Sequence, residues 1–215
     1  MATAKDVLDI ARRELGTKED PAGSNRVKYN TWYYGREVSG AAYPWCMVFV
    51  QWCFHQAGIP LPLKTASCGA LMNAAKKVGT WVTGGFRPGD VAIYDFPGGA
   101  ATDHCGIVEK VTLTGAVAIE GNTSQAGSQS NGGMVCRKDR PASLIVGAVR
   151  PKYEKKEDKR MDNTPSPAHK EGVEWAVKNG ILAGDASGDL KLTEPVTRQQ
   201  LCTMLYRCDK RRSGG

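Results

Sequence analysis

The sequence predicts an α+β fold in which helices come first and an antiparallel sheet follows. Apolar residues repeat at helical spacing before residue 80, whereas short β-branched runs separated by Gly, Pro, Asn or Asp occupy residues 90–151. Helices followed by a group of strands are typical of this class. A charged stretch after Pro151 then separates a small helical module from the α+β domain.

Three of the four predicted helices in this domain have clear boundaries. Thr3 with Asp6 resembles a capping box that opens the first helix, and Gly16 ends it. The stretch "RVKYNTWYYG" predicts a short second helix that ends at Gly35. Ser67 is expected to cap the fourth helix, "CGALMNAAKKVG".

The third predicted helix covers residues 45–56 and is apolar on nearly every face. Such a pattern indicates a helix that is buried on most sides, and Gly58 with Pro60 terminates it. This helix is therefore expected to form the centre of the fold.

Five apolar runs predict the strands of the sheet: "DVAIYDF", "DHCGIVEKV", "AVAIEGN", "GMVCRKD" and "SLIVGAVRP". The segment "TLTGAV" is a hairpin signal between the second and the third run. These two strands are therefore expected to be antiparallel neighbours.

The composition divides the chain into an α+β domain over residues 1–150, a solvated linker over residues 151–167 and a small module over residues 168–212. The segments "HKEGVEWAVKNG" and "TRQQLCTMLYRC" predict two amphipathic helices in this module. Because so short a module has few core residues, it is expected to need a neighbour or a partner for stability.

The net charge of +7 fits attraction to a polyanion, but it is also ordinary for a solvated surface. Nucleic acid is the least favoured partner, because no single element interleaves aromatic and basic residues. Charges throughout "MATAKDVLDIARREL" exclude the apolar core of a signal peptide, so cytoplasmic synthesis is expected. No stretch approaches the roughly 18 apolar residues of a membrane helix, so no membrane insertion is expected.

The seven cysteines are an odd number and show no compact disulfide framework, so most are expected to be reduced. Cys46, Cys53 and His55 do not have the spacing of a zinc site. The sequence therefore predicts neither a required metal ion nor any other cofactor.

Cys46 and Cys53 have different surroundings, although both belong to the third helix. Cys46 stands at the predicted start of this helix, where the first-turn N–H groups and the macrodipole favour a thiolate. Cys53 lies two turns further on, among apolar neighbours that would raise its pKa. Cys46 is therefore the predicted nucleophile and Cys53 a core residue.

A thiolate hydrolase also needs a base, and the chain has three histidines. His55 is nine residues from Cys46, about 13 Å along the helix axis, and His169 belongs to the small module. His104 remains, at the start of a strand. If His104 points toward Cys46, strand alternation is expected to direct Cys105 into the opposite packing layer.

The stretch "IEGNTS" supplies a third group that could hold the imidazole in one tautomer. Glu120 and Asn122 are two residues apart and so are expected on one face of the strand that neighbours His104. Alternatively, they only finish a strand and open a turn. The presence of Cys46 and His104 in the same chain favours the catalytic interpretation.

Four motifs together resemble the CHAP family of cysteine- and histidine-dependent amidohydrolases and peptidases: "PWCMVFVQWCFHQAG", "RPGDVAIYDF", "DHCGIVEKV" and "IEGNTS". The resemblance implies a papain-like fold, with Cys46 as nucleophile, His104 as base, Glu120 as the group that orients it and Asn122 as a further polar member. It implies cleavage of bacterial peptidoglycan, either as an N-acetylmuramoyl-L-alanine amidase or as an endopeptidase of the peptide crossbridge.

The motifs around the nucleophile also resemble those of phage endolysins, which implies action at the Gram-positive cell wall. Tyr43, Trp45 and Asp103 are the expected substrate contacts beside the catalytic residues. Some relatives bind calcium just before the nucleophile, but "GREVSGAAYPWC" offers only Glu37, so no metal requirement is expected.

The C-terminal module resembles one S-layer homology repeat, in the segment "EWAVKNGILAGDASGDLKLTEPVTRQQLCTMLYR". That resemblance implies contact with an acidic secondary cell-wall polymer, with Arg198 at the matching Thr-Arg position. A single copy also makes self-association of the module plausible. A different class of function remains open, namely a catalytically silent protein that only binds the wall.

Overall fold

The computed structural model describes residues 2–98, 101–126, 131–153 and 162–212. The chain divides into two compact units, Met1–Glu154 and Lys155–Gly215. The predicted linker over residues 151–167 is described only in part, because residues 154–161 lie outside these ranges. No helix within the described ranges is both long enough and apolar enough to cross a membrane.

The first unit begins with four helices at the predicted places: α1 (Ala4–Arg13), α2 (Lys28–Tyr34), α3 (Cys46–Gln56) and α4 (Cys68–Lys77). The backbone N–H and the hydroxyl of Thr3 donate to Asp6 Oδ2 at 2.7 and 2.8 Å, which forms the predicted capping box. The Ser67 hydroxyl accepts from the N–H of Ala70 at 3.2 Å. The predicted helix starts at Thr3 and Ser67 are therefore confirmed.

Six strands follow and form one antiparallel sheet in the order β1-β6-β2-β3-β4-β5. They are β1 (Trp81–Val82), β2 (Val91–Tyr94), β3 (His104–Val111), β4 (Gly115–Thr123), β5 (Met134–Pro141) and β6 (Ile145–Val149). The α+β class and the antiparallel sheet are confirmed. The sequence did not predict β1, because two residues are too few to show a strand period.

Helix α3 packs against the middle of the sheet and against two of the other helices. It contacts β3 and β4 in the sheet and also α1 and α2, whereas α4 packs on β1 and β6. Eight of its residues are buried, as its apolar sequence predicts. This position places the first residue of α3, Cys46, against the sheet.

Gly121 allows β4 to approach α3 closely. A Cβ atom at this position would lie 2.6 Å from the Cβ of Phe49 and 2.8 Å from the ring of Trp45. Both neighbours are fully buried, so neither has free space to move into. The absence of a side chain at Gly121 therefore sets the spacing between the strand and the helix.

The second unit contains the two predicted helices, α5 (Lys170–Lys178) and α6 (Arg198–Arg212). The segment between them is held by hydrogen bonds: Asp162 Oδ2 accepts from the N–H and hydroxyl of Thr193 at 2.6 and 2.7 Å. Asp185 Oδ1 accepts from the hydroxyl of Ser187 at 2.6 Å. Helix α6 exposes several large apolar side chains, namely Leu201, Leu205 and Tyr206.

Candidate active site

Cys46 is the first residue of α3, and its side chain lies at the junction of helix and sheet with only 6% of its surface exposed. Interactions with the thiols of Cys105 and Cys68, and then with His104, hold the pKa of Cys46 well below its usual value despite the opposing effect of burial. The helix N-terminus acts in the same direction. Cys46 is therefore biased toward the thiolate form.

Cys53 lies on the same helix but in a different environment. It is fully buried, and burial raises the pKa of its thiol well above the usual value. The predicted contrast between the pKa values of Cys46 and Cys53 is thus confirmed.

His104 is the first residue of β3 and is fully buried. Its Nε2 lies 3.0 Å from Glu120 Oε2. Burial by itself would lower the pKa of His104, but the interactions with Cys46 and Glu120 outweigh it and raise the pKa to about 9. Because Glu120 occupies Nε2, the other ring nitrogen, Nδ1, is the one available to Cys46, although it has no partner at ordinary hydrogen-bond geometry.

Glu120 on β4 is held by Arg140 on β5, a residue that the sequence analysis missed. Arg140 donates from Nε to Glu120 Oε1 at 2.8 Å and from Nη2 to Oε2 at 2.5 Å, and both residues are buried. Burial would raise the pKa of Glu120, but Arg140 and His104 together lower it. Glu120 is therefore an ionised carboxylate that joins a guanidinium to the imidazole.

The aromatic rings of Tyr94 and Phe96 cover this buried ion pair. The guanidinium carbon of Arg140 lies 5.5 Å from the ring centre of Tyr94 and 4.9 Å from that of Phe96. The Tyr94 ring also stacks on the imidazole of His104, with 6.1 Å between the ring centres. The sequence signal for Arg140 was weak, because the segment "RKDR" on β5 offers three basic residues and no reason to choose one.

Asn122 is fully buried near the end of β4, but regular strand alternation does not determine which face its side chain occupies. Its φ is 56°, and the pairing register of β4 with β5 shifts between Glu120 and Thr123. Neither the oxygen nor the nitrogen of its side-chain amide has a hydrogen-bond partner within the described residues. The expectation that Glu120 and Asn122 share a face assumed an unbroken strand, which this bulge interrupts.

The position predicted for Cys105 is wrong. The Sγ atoms of Cys46, Cys68 and Cys105 all lie within 4.8 Å of one another, so Cys105 does not point away from the nucleophile. Strand β3 does alternate, but Cys105 is the residue that belongs to the core layer with α3. Alternation places His104 on the opposite face of β3 from Cys105. Because His104 is the first residue of the strand, its side chain can still interact with Cys46 around the strand end.

Cys68 is a second neighbour of Cys46 that the sequence analysis missed. It is the first residue of α4, directly after the Ser67 cap, just as Cys46 is the first residue of α3. This shared position at a helix start was the available signal. All seven cysteines, including these three, are free thiols in the structure.

Each of the three predicted substrate contacts has a partner in the first unit, and only for Trp45 does burial exclude contact with substrate. Trp45 is fully buried and its indole Nε1 donates to Glu19 Oε1 at 2.7 Å, so the prediction of a substrate contact is corrected to a role in the core. Asp103 accepts from the backbone N–H of Phe96 at 2.8 Å and closes the turn between β2 and β3. Tyr43 is half-buried and accepts from Asn30 through its backbone carbonyl.

Arg198 is the first residue of α6 in the second unit and is exposed to solvent. The helix start beside it is well formed, because the hydroxyl of Thr197 accepts from the N–H of Gln200 at 3.2 Å and Gln200 Oε1 accepts from the N–H of Thr197 at 2.8 Å. Arg198 thus lies at a helix start with its side chain exposed, and its contact with a wall polymer stays a prediction.

The family model described as the CHAP domain matches residues 38–122, which is less than half of the chain. The matched segment contains Cys46, His104, Glu120 and Asn122. The predicted resemblance to this family is confirmed for that segment, whereas the resemblance of residues 168–212 to an S-layer homology repeat stays a prediction. A search of curated proteins found no match.

Among solved structures, the chain is similar to a wild-type endolysin, LysIME-EF1, with 16% identity, a TM-score of 0.45, and coverage of 72% of this chain and 66% of that chain. It is also similar to Ly7917, with 17% identity, a TM-score of 0.41, and coverage of 69% and 62%. The chain therefore spans slightly less than two thirds of the length of each of these proteins.

Proposed function

We propose that the first unit is a cysteine hydrolase that cleaves amide bonds of bacterial peptidoglycan. The observation that carries the proposal is the buried series Cys46, His104, Glu120 and Arg140, in which a thiol of lowered pKa adjoins an imidazole held by a carboxylate. The match of residues 38–122 to the CHAP domain supports the same chemistry. The substrate class follows from the family resemblance.

In this mechanism His104 accepts the thiol proton, and the Cys46 thiolate attacks the carbonyl carbon of the amide. The first-turn N–H groups of α3 have no intrahelical acceptors and can serve as preorganised donors for the developing oxyanion. His104 then gives its proton to the leaving amine, which leaves a thioester on Cys46. A water molecule, deprotonated by His104, hydrolyses the thioester and restores the thiol.

Glu120 and Arg140 act through the imidazole rather than on the substrate. Glu120 accepts from Nε2–H, which fixes the tautomer with Nδ1 toward Cys46 and stabilises the imidazolium. Arg140 keeps the carboxylate ionised and in place. Asn122 is a further polar member of the site, and its unpartnered amide is suited to contact substrate.

The bond that is cut distinguishes an amidase from an endopeptidase. Mass spectrometry of fragments released from purified Gram-positive peptidoglycan would identify it: a free amino group on L-alanine with intact glycan indicates an amidase, and new glycine or D-amino-acid termini indicate an endopeptidase. The alternative is a catalytically silent wall-binding protein, for which fragments would be absent although the protein sediments with the walls.

We propose that the chain divides into a catalytic domain over residues 1–150, a linker over residues 151–167 and a small module over residues 168–212. For this module we propose attachment to an acidic secondary cell-wall polymer or self-association. The exposed Arg198 supports contact with an acidic polymer. The exposed Leu201, Leu205 and Tyr206 on α6 support association with a second copy. Neither role alters the chemistry of the first unit.

A further inference from the structure

Three thiols from three different elements converge beside the proposed nucleophile. Cys46 begins α3, Cys68 begins α4 and Cys105 is the second residue of β3. Their Sγ atoms lie within 4.8 Å of one another, and the side chains are buried, with 6%, 6% and 0% of the residue surface exposed. The proposed hydrolysis needs only one of these thiols.

We propose that Cys46, Cys68 and Cys105 form a binding site for one thiophilic metal ion of the zinc type. Three thiolates supply soft ligands of the kind that select such ions over magnesium or calcium. The fourth position of a tetrahedral zinc site can be filled by a water molecule.

The separations between the sulfur atoms favour a shared metal ion over a disulfide. Zinc–sulfur bonds of about 2.3 Å in a tetrahedral site place two sulfur atoms about 3.8 Å apart. The three Sγ atoms are at most 4.8 Å apart, so metal binding requires each pair to move closer by about 1 Å or less. A disulfide requires about 2.05 Å between two sulfur atoms, and it would leave the third thiol unused.

Metal binding at the cluster also has a driving force. Cys46 and Cys68 each keep 6% of their residue surface exposed, whereas Cys105 is fully covered. Binding releases the thiol protons, and the positive ion then compensates the negative charge of the buried thiolates. Residues that already belong to two helices and a strand pay little ordering entropy on binding.

A metal ion bound at this cluster would not act as a catalytic cofactor. The ion would occupy the lone pairs of Cys46 and so prevent attack on substrate, which makes the cluster an inhibitory site. The inhibitory consequence rests on the proposed function, whereas the binding itself does not. A test of binding therefore has a readout that is independent of hydrolysis.

The direct test is titration of the reduced, metal-free full chain with Cd²⁺, followed by the sulfur-to-metal charge-transfer absorption in the ultraviolet. The two thiols of the second unit are first removed by Cys202→Ser and Cys208→Ser, so that they cannot contribute. We expect saturation at one equivalent of Cd²⁺. Competition with Zn²⁺ should displace the cadmium signal, and excess Mg²⁺ or Ca²⁺ should not.

Ligand variants in the same background locate the site. Cys68→Ala and Cys105→Ala should each weaken Cd²⁺ binding by about 100-fold or more, since loss of a direct ligand exceeds the effect of losing an outer partner. Cys53→Ala and Cys136→Ala remove buried thiols outside the cluster and should leave the affinity unchanged. Circular dichroism of each variant establishes that it is folded.

Cadmium-113 NMR on the background protein with all three thiols intact does not depend on any variant folding. A chemical shift in the range of three or more thiolate ligands supports the proposal. Absence of charge-transfer absorption at excess Cd²⁺ would overturn it, as would equal affinity in Cys68→Ala and the background protein. Inhibition by Zn²⁺ is tested separately, as the ratio of lysis rates with and without the ion.

Discussion

In the proposed site, Arg140 holds Glu120 through two hydrogen bonds, and Glu120 in turn contacts His104. Replacement of Arg140 by methionine keeps most of the side-chain length but leaves a buried carboxylate without its cation. Loss of one partner from a buried ion pair costs about 3 kcal/mol or more. We therefore predict a loss of about 3 kcal/mol in the free energy of unfolding, together with a lower rate of hydrolysis.

Chemical denaturation and a turbidity assay on walls would measure the two effects of Arg140→Met. Arg137→Met is the matched control, because Arg137 is on the same strand but pairs with Glu109 near the surface. The control should lose about 1 kcal/mol or less and retain its rate. Equal stability and equal activity of the two variants would contradict the role given to Arg140.

The contact between β4 and α3 requires glycine at position 121. In Gly121→Ala the new methyl group would lie 2.6 Å from Phe49, in a region without free space. Overpacking of this kind costs about 1–3 kcal/mol. Gly84→Ala is the control, since nothing lies within 4 Å of its Cβ position. A midpoint of thermal unfolding that falls no further in Gly121→Ala than in Gly84→Ala would count against the tight contact.

Glu109 links three elements, because its carboxylate on β3 pairs with Arg137 on β5 and Arg12 on α1. Arg137 first, and then Arg12, lower the pKa of Glu109 to about 2, below the roughly 4.3 expected in the unfolded chain. Because the pKa is lower in the folded state, the ionised Glu109 stabilises the fold at pH values above the pKa of the unfolded chain. This stabilisation is lost as the pH falls toward 2.

Glu109→Gln should therefore unfold more easily than the parent protein at pH 7, by about 1 kcal/mol because solvent screens these partly exposed pairs. The difference should shrink as the pH falls from about 4.3 toward 2. Urea denaturation at a series of pH values measures it. A difference that stays constant over that range would show that charge is not its cause.

The sequence predicted the elements well where a local signal specifies them. The capping box at Thr3 and the hairpin between β3 and β4 depend on neighbouring residues, so their patterns can be recognised without tertiary information. Cys68 shares with Cys46 a position at a helix start, but its contact with Cys46, like that of Arg140 with Glu120, forms only when distant elements pack together. Cys105 was misplaced because alternation predicts that neighbouring residues face opposite ways but not which of them faces the helices.

The first unit should function without the second. The cut belongs after Tyr153 rather than at Pro151, because the Tyr153 hydroxyl donates to the carbonyl of Gly89 at 2.5 Å and its ring packs near Phe54. A chain ending at Tyr153 should hydrolyse soluble peptidoglycan fragments as fast as the full chain. It should bind intact walls less well, because one attachment point is lost.

Sedimentation with intact walls and light scattering test the two roles proposed for the second unit. If α6 associates with a second copy, the full chain should exceed the mass of a monomer and the shortened chain should not. Equal wall binding and equal mass for the two chains would contradict both roles.

Cys46 is the proposed nucleophile of a peptidoglycan hydrolase. The most direct test of this claim is the initial rate of lysis of purified Gram-positive walls by Cys46→Ala beside Cys53→Ala, with both variants shown to be folded. Loss of the nucleophile should lower the rate by several orders of magnitude, whereas Cys53→Ala should lose only stability through a small cavity. A rate for Cys46→Ala close to that of the parent protein would contradict the claim.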